Sequence, residues 1–147
     1  MIIRDFKPTD LDEVIRIEYE SFSEPYPIDI IMRLYEAGAG FLVAEISSNI
    51  VGYIIFWIKD GIGHIIVIAI DSNFRGMQIG TLLLQRAIEI FYVNDICDVK
   101  LEVKKSNIRA IHFYQQNGFR QIAEEDKYYS DGETAIIMLH KYEKKNT

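Results

Sequence analysis

A single cysteine, Cys97, excludes an internal disulfide and leaves no partners for a structural zinc site, so a reducing compartment and no metal are expected. A long apolar run is missing from the start. Met1-Ile2-Ile3-Arg4-Asp5 brings in a charge pair at once, so neither a signal peptide nor a membrane anchor is expected, and the location is read as cytoplasmic. Positive charge is scarce: 16 basic residues against 22 acidic ones give a formal charge of −6 at pH 7. Such a balance repels nucleic-acid phosphates. The one basic cluster, Lys141, Lys144 and Lys145, reads as a solvated tail. The acidic surplus suits a cationic partner instead, such as an amine or a protonated peptide terminus. Pro- or Ser-rich linkers, repeats and low-complexity segments are absent, so residues 1–147 are expected to form one domain around one core.

The apolar spacing predicts the elements in order. A short strand at Ile2 to Asp5 precedes Thr9-Asp10-Leu11-Asp12, where the hydroxyl and following acids make a helix cap. The helix beyond it carries Leu11, Val14, Ile15, Ile17 and Phe22, and Pro25-Tyr26-Pro27 stops it. A second helix from Asp29 to Glu36 ends at Gly38. Three β runs follow, Phe41 to Ile46, Val51 to Ile58 and His64 to Ile70, apolar enough for both faces to be covered. A 3.6-residue period over Met77 to Phe91 predicts a third helix, Val99 to Val103 alternates as a strand, and Asn107 to Gln116 is helical, closed by Asn117-Gly118. Phe119 to Ala123 and Ala135 to Leu139 complete seven strands with four helices, an α/β pattern.

The segment Phe74-Arg75-Gly76-Met77-Gln78-Ile79-Gly80 joins a strand to a helix, where unpaired N–H groups and the helix dipole could hold a pyrophosphate. A turn of this kind can equally serve only to make the corner. Here the sequence resembles the GNAT acetyltransferases, whose coenzyme A loop reads Gln/Arg-x-x-Gly-x-Gly/Ala. Arg75 and Gly80 fit its ends, while Gln78 stands at the usual inner glycine. Leu101-Glu102-Val103 through Ser106-Asn107, Ala110-Ile111, Tyr114 and Gly118-Phe119 is similar to the signature of protein N-terminal acetyltransferases of the RimI and archaeal Ard1-like type. Tyr128-Tyr129-Ser130-Asp131-Gly132-Glu133-Thr134-Ala135, Gly63-His64-Ile65 and Glu24-Pro25-Tyr26 resemble further segments of those enzymes.

The resemblance implies an α/β GNAT fold, a central mixed, largely antiparallel sheet of about seven strands flanked by four helices, whose fourth and fifth strands splay apart with the pantetheine of acetyl-CoA entering the gap. It implies coenzyme contacts at Ile68, Ala69 and Ile70, along the turn Arg75, Gly76, Met77, Gln78, Ile79, Gly80 and Thr81, and at Asn107 and Tyr114. A backbone N–H near Ala69 or Ile70 would polarise the thioester carbonyl. Substrate contacts are implied at Glu24, Tyr26, Tyr128 and Tyr129.

Read as residues, these positions also have plainer roles. Glu102 faces away from Val99, Leu101 and Val103, toward a solvated sheet face or, on an internal strand, a wet cleft; the resemblance makes it a general base. Tyr114 shares a helix face with Ala110, Phe113 and Asn117 as a core tyrosine would, and the resemblance makes it the acid that protonates the departing thiolate. Asn107 is first a helix N-cap. His64 reads by itself as a surface-loop histidine, and the resemblance makes it and Glu24 the other candidate bases. The function implied is acetyl transfer to free protein or peptide α-amino termini. A GNAT enzyme for a small amine, such as a polyamine or antibiotic, and a noncatalytic acetyl-CoA-binding module are the alternatives. An auxiliary subunit or a homodimer stays open.

Overall fold

The computed structural model describes residues 1–143, so Lys144 and Lys145 of the basic tail lie outside the described residues. Among these residues the strands are β1 (Ile2–Asp5), β2 (Gly40–Ile46), β3 (Asn49–Lys59), β4 (Ile62–Ile70), β5 (Asp98–Lys104), β6 (Arg120–Glu125) and β7 (Ala135–Lys141). The α-helices are α1 (Leu11–Ser21), α2 (Ile28–Glu36), α3 (Ile79–Val93) and α4 (Ile108–Gln116), interleaved in the expected order. The strands form one mixed sheet ordered β1-β2-β3-β4-β5-β7-β6. Antiparallel ladders join β1 to β2, β2 to β3, β5 to β7 and β7 to β6. The parallel register of β4 with β5 pairs Gly63 with Val99 and His64 with Lys100, at the start of both strands.

The chain divides into two compact units. The first comprises Met1–Trp57 and Ile65–Ile90. Its core brings Val14 and Ile17 of α1 and Ile31 of α2 against Val43, Ile55 and Val67 of the strands. Phe6 stacks on Phe41 there, with ring centroids 4.0 Å apart. The second unit comprises Ile58–His64 and the chain from Phe91. In it Val99, Leu101 and Val103 of β5 are buried, while Lys100, Glu102 and Lys104 on the alternate face are half-buried, as a two-residue period requires. Gly63 lies close under the Phe91 ring: a Cβ there would meet ring carbons at 2.9 Å.

Three local expectations are corrected. Asp10, the residue before α1, makes no side-chain bond to that helix: its carboxylate reaches back across the 3₁₀ turn Pro8–Asp10 to accept the Lys7 N–H at 2.8 Å and two bonds from the Arg4 guanidinium at 2.8 and 2.9 Å. The expected cap on α1 is not formed; Arg4 and the Lys7 N–H hold the carboxylate on the 3₁₀ turn instead, because a charged acceptor bonds its donors strongly. Helix α3 begins at Ile79, two residues after the expected Met77, because Gly76 and Gln78 hold φ of +83° and +60°, outside the helical region. Strand β4 is not covered evenly: Gly63, Ile65, Val67 and Ala69 are buried, whereas His64, Ile66, Ile68 and Ile70 are half-buried, so burial on both faces holds for β2 from Phe41 to Ala44 and for β3 from Ile50 to Phe56 but not for β4.

Candidate active site

In the first unit the turn ahead of α3 is built from its acids outward. The buried Asp71 carboxylate accepts the Asn73 N–H at 2.9 Å and lies 3.0 Å from an Arg16 guanidinium nitrogen of α1. The Asn73 bond is the main reason its carboxyl sits below the usual range; burial opposes this and Arg16 reinforces it. From this anchor the chain passes through a short 3₁₀ turn at Ser72–Phe74 and exposes Arg75, Gly76, Met77 and Gln78. The Gln78 carbonyl then accepts the Leu82 N–H at 3.1 Å, while Ile79 drops into the core at 2% exposure. Gly80 and Thr81 follow, half-buried, in the first turn of α3. N–H groups of a helix's first turn point out of its N-terminal end and carry its positive dipole, which suits an anionic group. The left-handed φ of Gln78 also explains why a glycine is the usual occupant of this position in the resembling loops. Ile68, Ala69 and Ile70 complete β4 in this unit, with Ala69 buried.

The second unit holds the acid–base groups. In the parallel register His64 stands beside Lys100, so its side chain shares a face with Glu102, one alternation further along β5. His64 Nε2 and Glu102 Oε2 meet at 2.5 Å, with side chains 26% and 15% exposed. Burial pushes the Glu102 carboxyl up, but the His64 hydrogen bond and charge, helped by Lys100, outweigh it and hold the carboxyl below its ordinary value. Two residues that the sequence offered as competing bases are thus one hydrogen-bonded pair.

Tyr114 of α4 packs edge-on against Phe113 and Phe119, with centroids 5.3 and 5.8 Å away. Burial, and then the nearby Tyr129, raise the pKa of its hydroxyl well above the ordinary phenol value, so it stays protonated at neutral pH and can donate. Asn107 caps α4, its side-chain oxygen accepting the Ala110 N–H at 3.2 Å. The loop carrying Tyr128 and Tyr129 is fastened to the end of β5: Lys104 Nζ lies 2.6 Å from Asp131 and 3.7 Å from Glu133, and Ser106 donates to Glu133. Lys104 also sits 5.3 Å from the centre of the Tyr129 ring. The Asp-Gly-Glu triplet read in the sequence is therefore a latch that holds the tyrosines, with Tyr128 46% exposed.

Glu24 and Tyr26 belong to the first unit, exposed in the stretch between α1 and α2. Sequence reasoning missed what lies beneath them. Glu18 of α1, 1% exposed, accepts the Tyr26 N–H at 2.9 Å and the hydroxyl of the buried Tyr53. Burial raises its pKa, and the two donors oppose that rise. A visible sign existed: position 18 falls on the helix face of Val14, so a glutamate there interrupts an apolar stripe. Asp71 was also missed, although Asp-Ser-Asn directly after an apolar strand is the pattern of a side-chain-capped turn.

The family model described as acetyltransferase (GNAT) family matches residues 9–119. The chain belongs to that family and is an acetyl-CoA-dependent N-acetyltransferase. It is 44% identical over 144 residues to an uncharacterized N-acetyltransferase of Methanocaldococcus jannaschii, covering 96% of this chain and 92% of that protein. With the N-alpha-acetyltransferase of Sulfurisphaera tokodaii it shares 35% identity over 150 residues, 92% of this chain and 90% of that one. Among solved structures, Ard1 from Thermoplasma volcanium superposes with a TM-score of 0.92 at 30% identity, covering 97% of this chain and 98% of the other. Among the described residues no helix is long and apolar enough to cross a membrane.

Proposed function

We propose that this enzyme, acting as one domain in the cytoplasm, transfers the acetyl group of acetyl-CoA to the free α-amino terminus of proteins or peptides. The observation that carries this reading is the half-buried His64–Glu102 pair, at 2.5 Å, in a chain whose relative from Sulfurisphaera tokodaii is named for α-amino acetylation. Acetyl-CoA supplies the acyl carbonyl and a thiolate leaving group. The exposed turn from Arg75 to Thr81, with its left-handed backbone at Gly76 and Gln78 and the N-terminal amides of α3, fits a pyrophosphate. Its charge is met by those amides and by Arg75. Ile68, Ala69 and Ile70 of β4, with Asn107 and Tyr114, are the further coenzyme contacts we assign.

Glu102 is the base. His64 keeps its carboxyl ionised and oriented, and the ammonium proton passes to the carboxylate directly or through a water. Tyr114, held protonated by burial, donates its hydroxyl proton to the departing sulfur. Glu24, Tyr26, Tyr128 and Tyr129 receive the peptide terminus. Proton energetics favour an α-amine: with a pKa of about 7.7 to 8.0 it costs about 1 kcal/mol to deprotonate at pH 7, against about 4.6 kcal/mol for a lysine at about 10.4.

The test is incubation with acetyl-CoA and a library of free-terminus peptides, beside terminally blocked peptides carrying an internal lysine and beside polyamines. Faster turnover on free termini is expected. Equal rates on the blocked lysine peptides, or turnover of polyamines alone, would overturn the reading.

A further inference from the structure

A carboxylate in an apolar core is costly to keep unless its oxygens are bonded, and Glu18 sits at 1% exposure beside the fully buried Ile17. Its two bonds reach in different directions. One comes from the hydroxyl of Tyr53, itself buried on β3. The other comes from the backbone N–H of Tyr26, at 2.9 Å, eight residues along the chain. Tyr26 stands between Pro25 and Pro27, neither of which has an N–H, so its amide is the sole backbone donor of the tripeptide. Glu18 takes that donor. Beyond it the Pro27 carbonyl accepts the N–H groups of Ile30 and Ile31 at 3.1 and 3.2 Å, so the pinned tripeptide also sets where α2 starts. The Tyr26 ring, by contrast, is left 40% exposed.

We propose that Glu18 is a positioning residue that fastens the Tyr26 backbone from inside the core, so that the exposed ring stands at a set place for the incoming peptide terminus. The proposal rests on the peptide-acetylating reading above. It assigns Glu18 no proton transfer. Both oxygens serve as acceptors, and the core around α1 is what gives the bond its rigidity: a partner on the surface would yield to solvent, whereas a buried one can release Tyr26 only by leaving a buried acceptor oxygen unpaired.

The substitution that tests this is Glu18→Met, which keeps the length and apolar packing but removes both acceptors. Losing a hydrogen bond to a charged group is expected to raise the peptide KM about tenfold or more, while kcat and the acetyl-CoA KM stay within about twofold. Glu18→Gln is expected to restore most of the loss, because an amide oxygen can accept from Tyr26 while its NH₂ donates to the Tyr53 oxygen. If Glu18→Met does not fold by near-ultraviolet circular dichroism, the Tyr26 amide is replaced by an ester through the tyrosine α-hydroxy acid. That removes the donor and leaves the core intact, and the same rise in peptide KM is expected. A folded Glu18→Met or ester variant with the wild-type peptide KM overturns the proposal, as does an equal rise in the acetyl-CoA KM. Should the wild-type enzyme turn over small amines and no free-terminus peptide, the functional reading fails and the proposal falls with it. Unmoved KM values beside intact peptide turnover remove the proposal alone.

Discussion

Replacing Glu102 with Gln keeps the side chain's shape and its hydrogen bond to His64 while deleting the charge that would accept the ammonium proton. Positioned proton transfer contributes about 10²- to 10⁴-fold, so turnover at pH 7 should fall by about that factor with acetyl-CoA affinity nearly unchanged. Without its base the enzyme can use only amine that is already neutral. For an α-amine of pKa about 7.8 that is about one-seventh of the substrate at pH 7 and nearly all of it at pH 9, so the variant should recover about sevenfold over this range. The wild-type profile should stay flat there, because the pKa of Glu102, depressed by His64, lies below the whole range and the carboxylate is always available. Tyr114→Phe lacks the acid instead of the base, so raising the pH cannot rescue it. Steady-state rates from pH 6 to 9 on one free-terminus peptide, for both variants, measure the contrast. Wild-type turnover in Glu102→Gln, or a flat profile in that variant, would refute the assignment and move the base to Glu24 or to His64 acting alone.

Four further outcomes follow from the geometry. In His64→Leu, burial, which already raises the Glu102 pKa, is opposed only by Lys100 and a backbone hydrogen bond, so the carboxyl pKa rises and the acid limb of kcat/KM should move to higher pH; an unmoved limb counts against the pair. Gln78→Gly should leave coenzyme affinity intact or tighter, because it relieves a left-handed non-glycine residue worth about 1–2 kcal/mol while adding about 0.5–1 kcal/mol of chain entropy; a large loss by calorimetry would expose a side-chain contact. Gly80→Glu should abolish acetyl-CoA binding in a folded protein by repelling phosphate at the helix start, and unchanged calorimetric affinity would displace the coenzyme from this turn. Asp71→Ala removes charged hydrogen bonds to Asn73 and Arg16, so urea unfolding should show a loss of about 1.5–3 kcal/mol, with Asp71→Asn losing less; equal losses would mean that the charge does not matter.

The order of strands and helices was legible because it depends on local periodicity, turn residues and caps. The alternation around Glu102, the cap at Asn107 and the stop at Asn117-Gly118 are all properties of neighbouring residues, and the structure keeps each of them. Motif spacing was enough to put Glu102 and His64 forward as candidates, but only as rivals. They lie 38 residues apart, and the parallel register that aligns His64 with Lys100 is a nonlocal fact about strand pairing that no window of sequence contains. Glu18 is the opposite case. Its charge argued for the surface, and it is the folding of α1 against β3 that encloses it with the Tyr53 hydroxyl and the one amide between two prolines. The late start of α3 was hidden for a similar reason: glutamine prefers a helical φ, and its left-handed conformation is imposed where the chain leaves the Asp71-capped turn and must bury Ile79. Sequence by itself determined which groups this protein has and which elements carry them. Tertiary structure decided which groups are paired and which are buried, because pairing and burial depend on distances between segments that local propensity does not set.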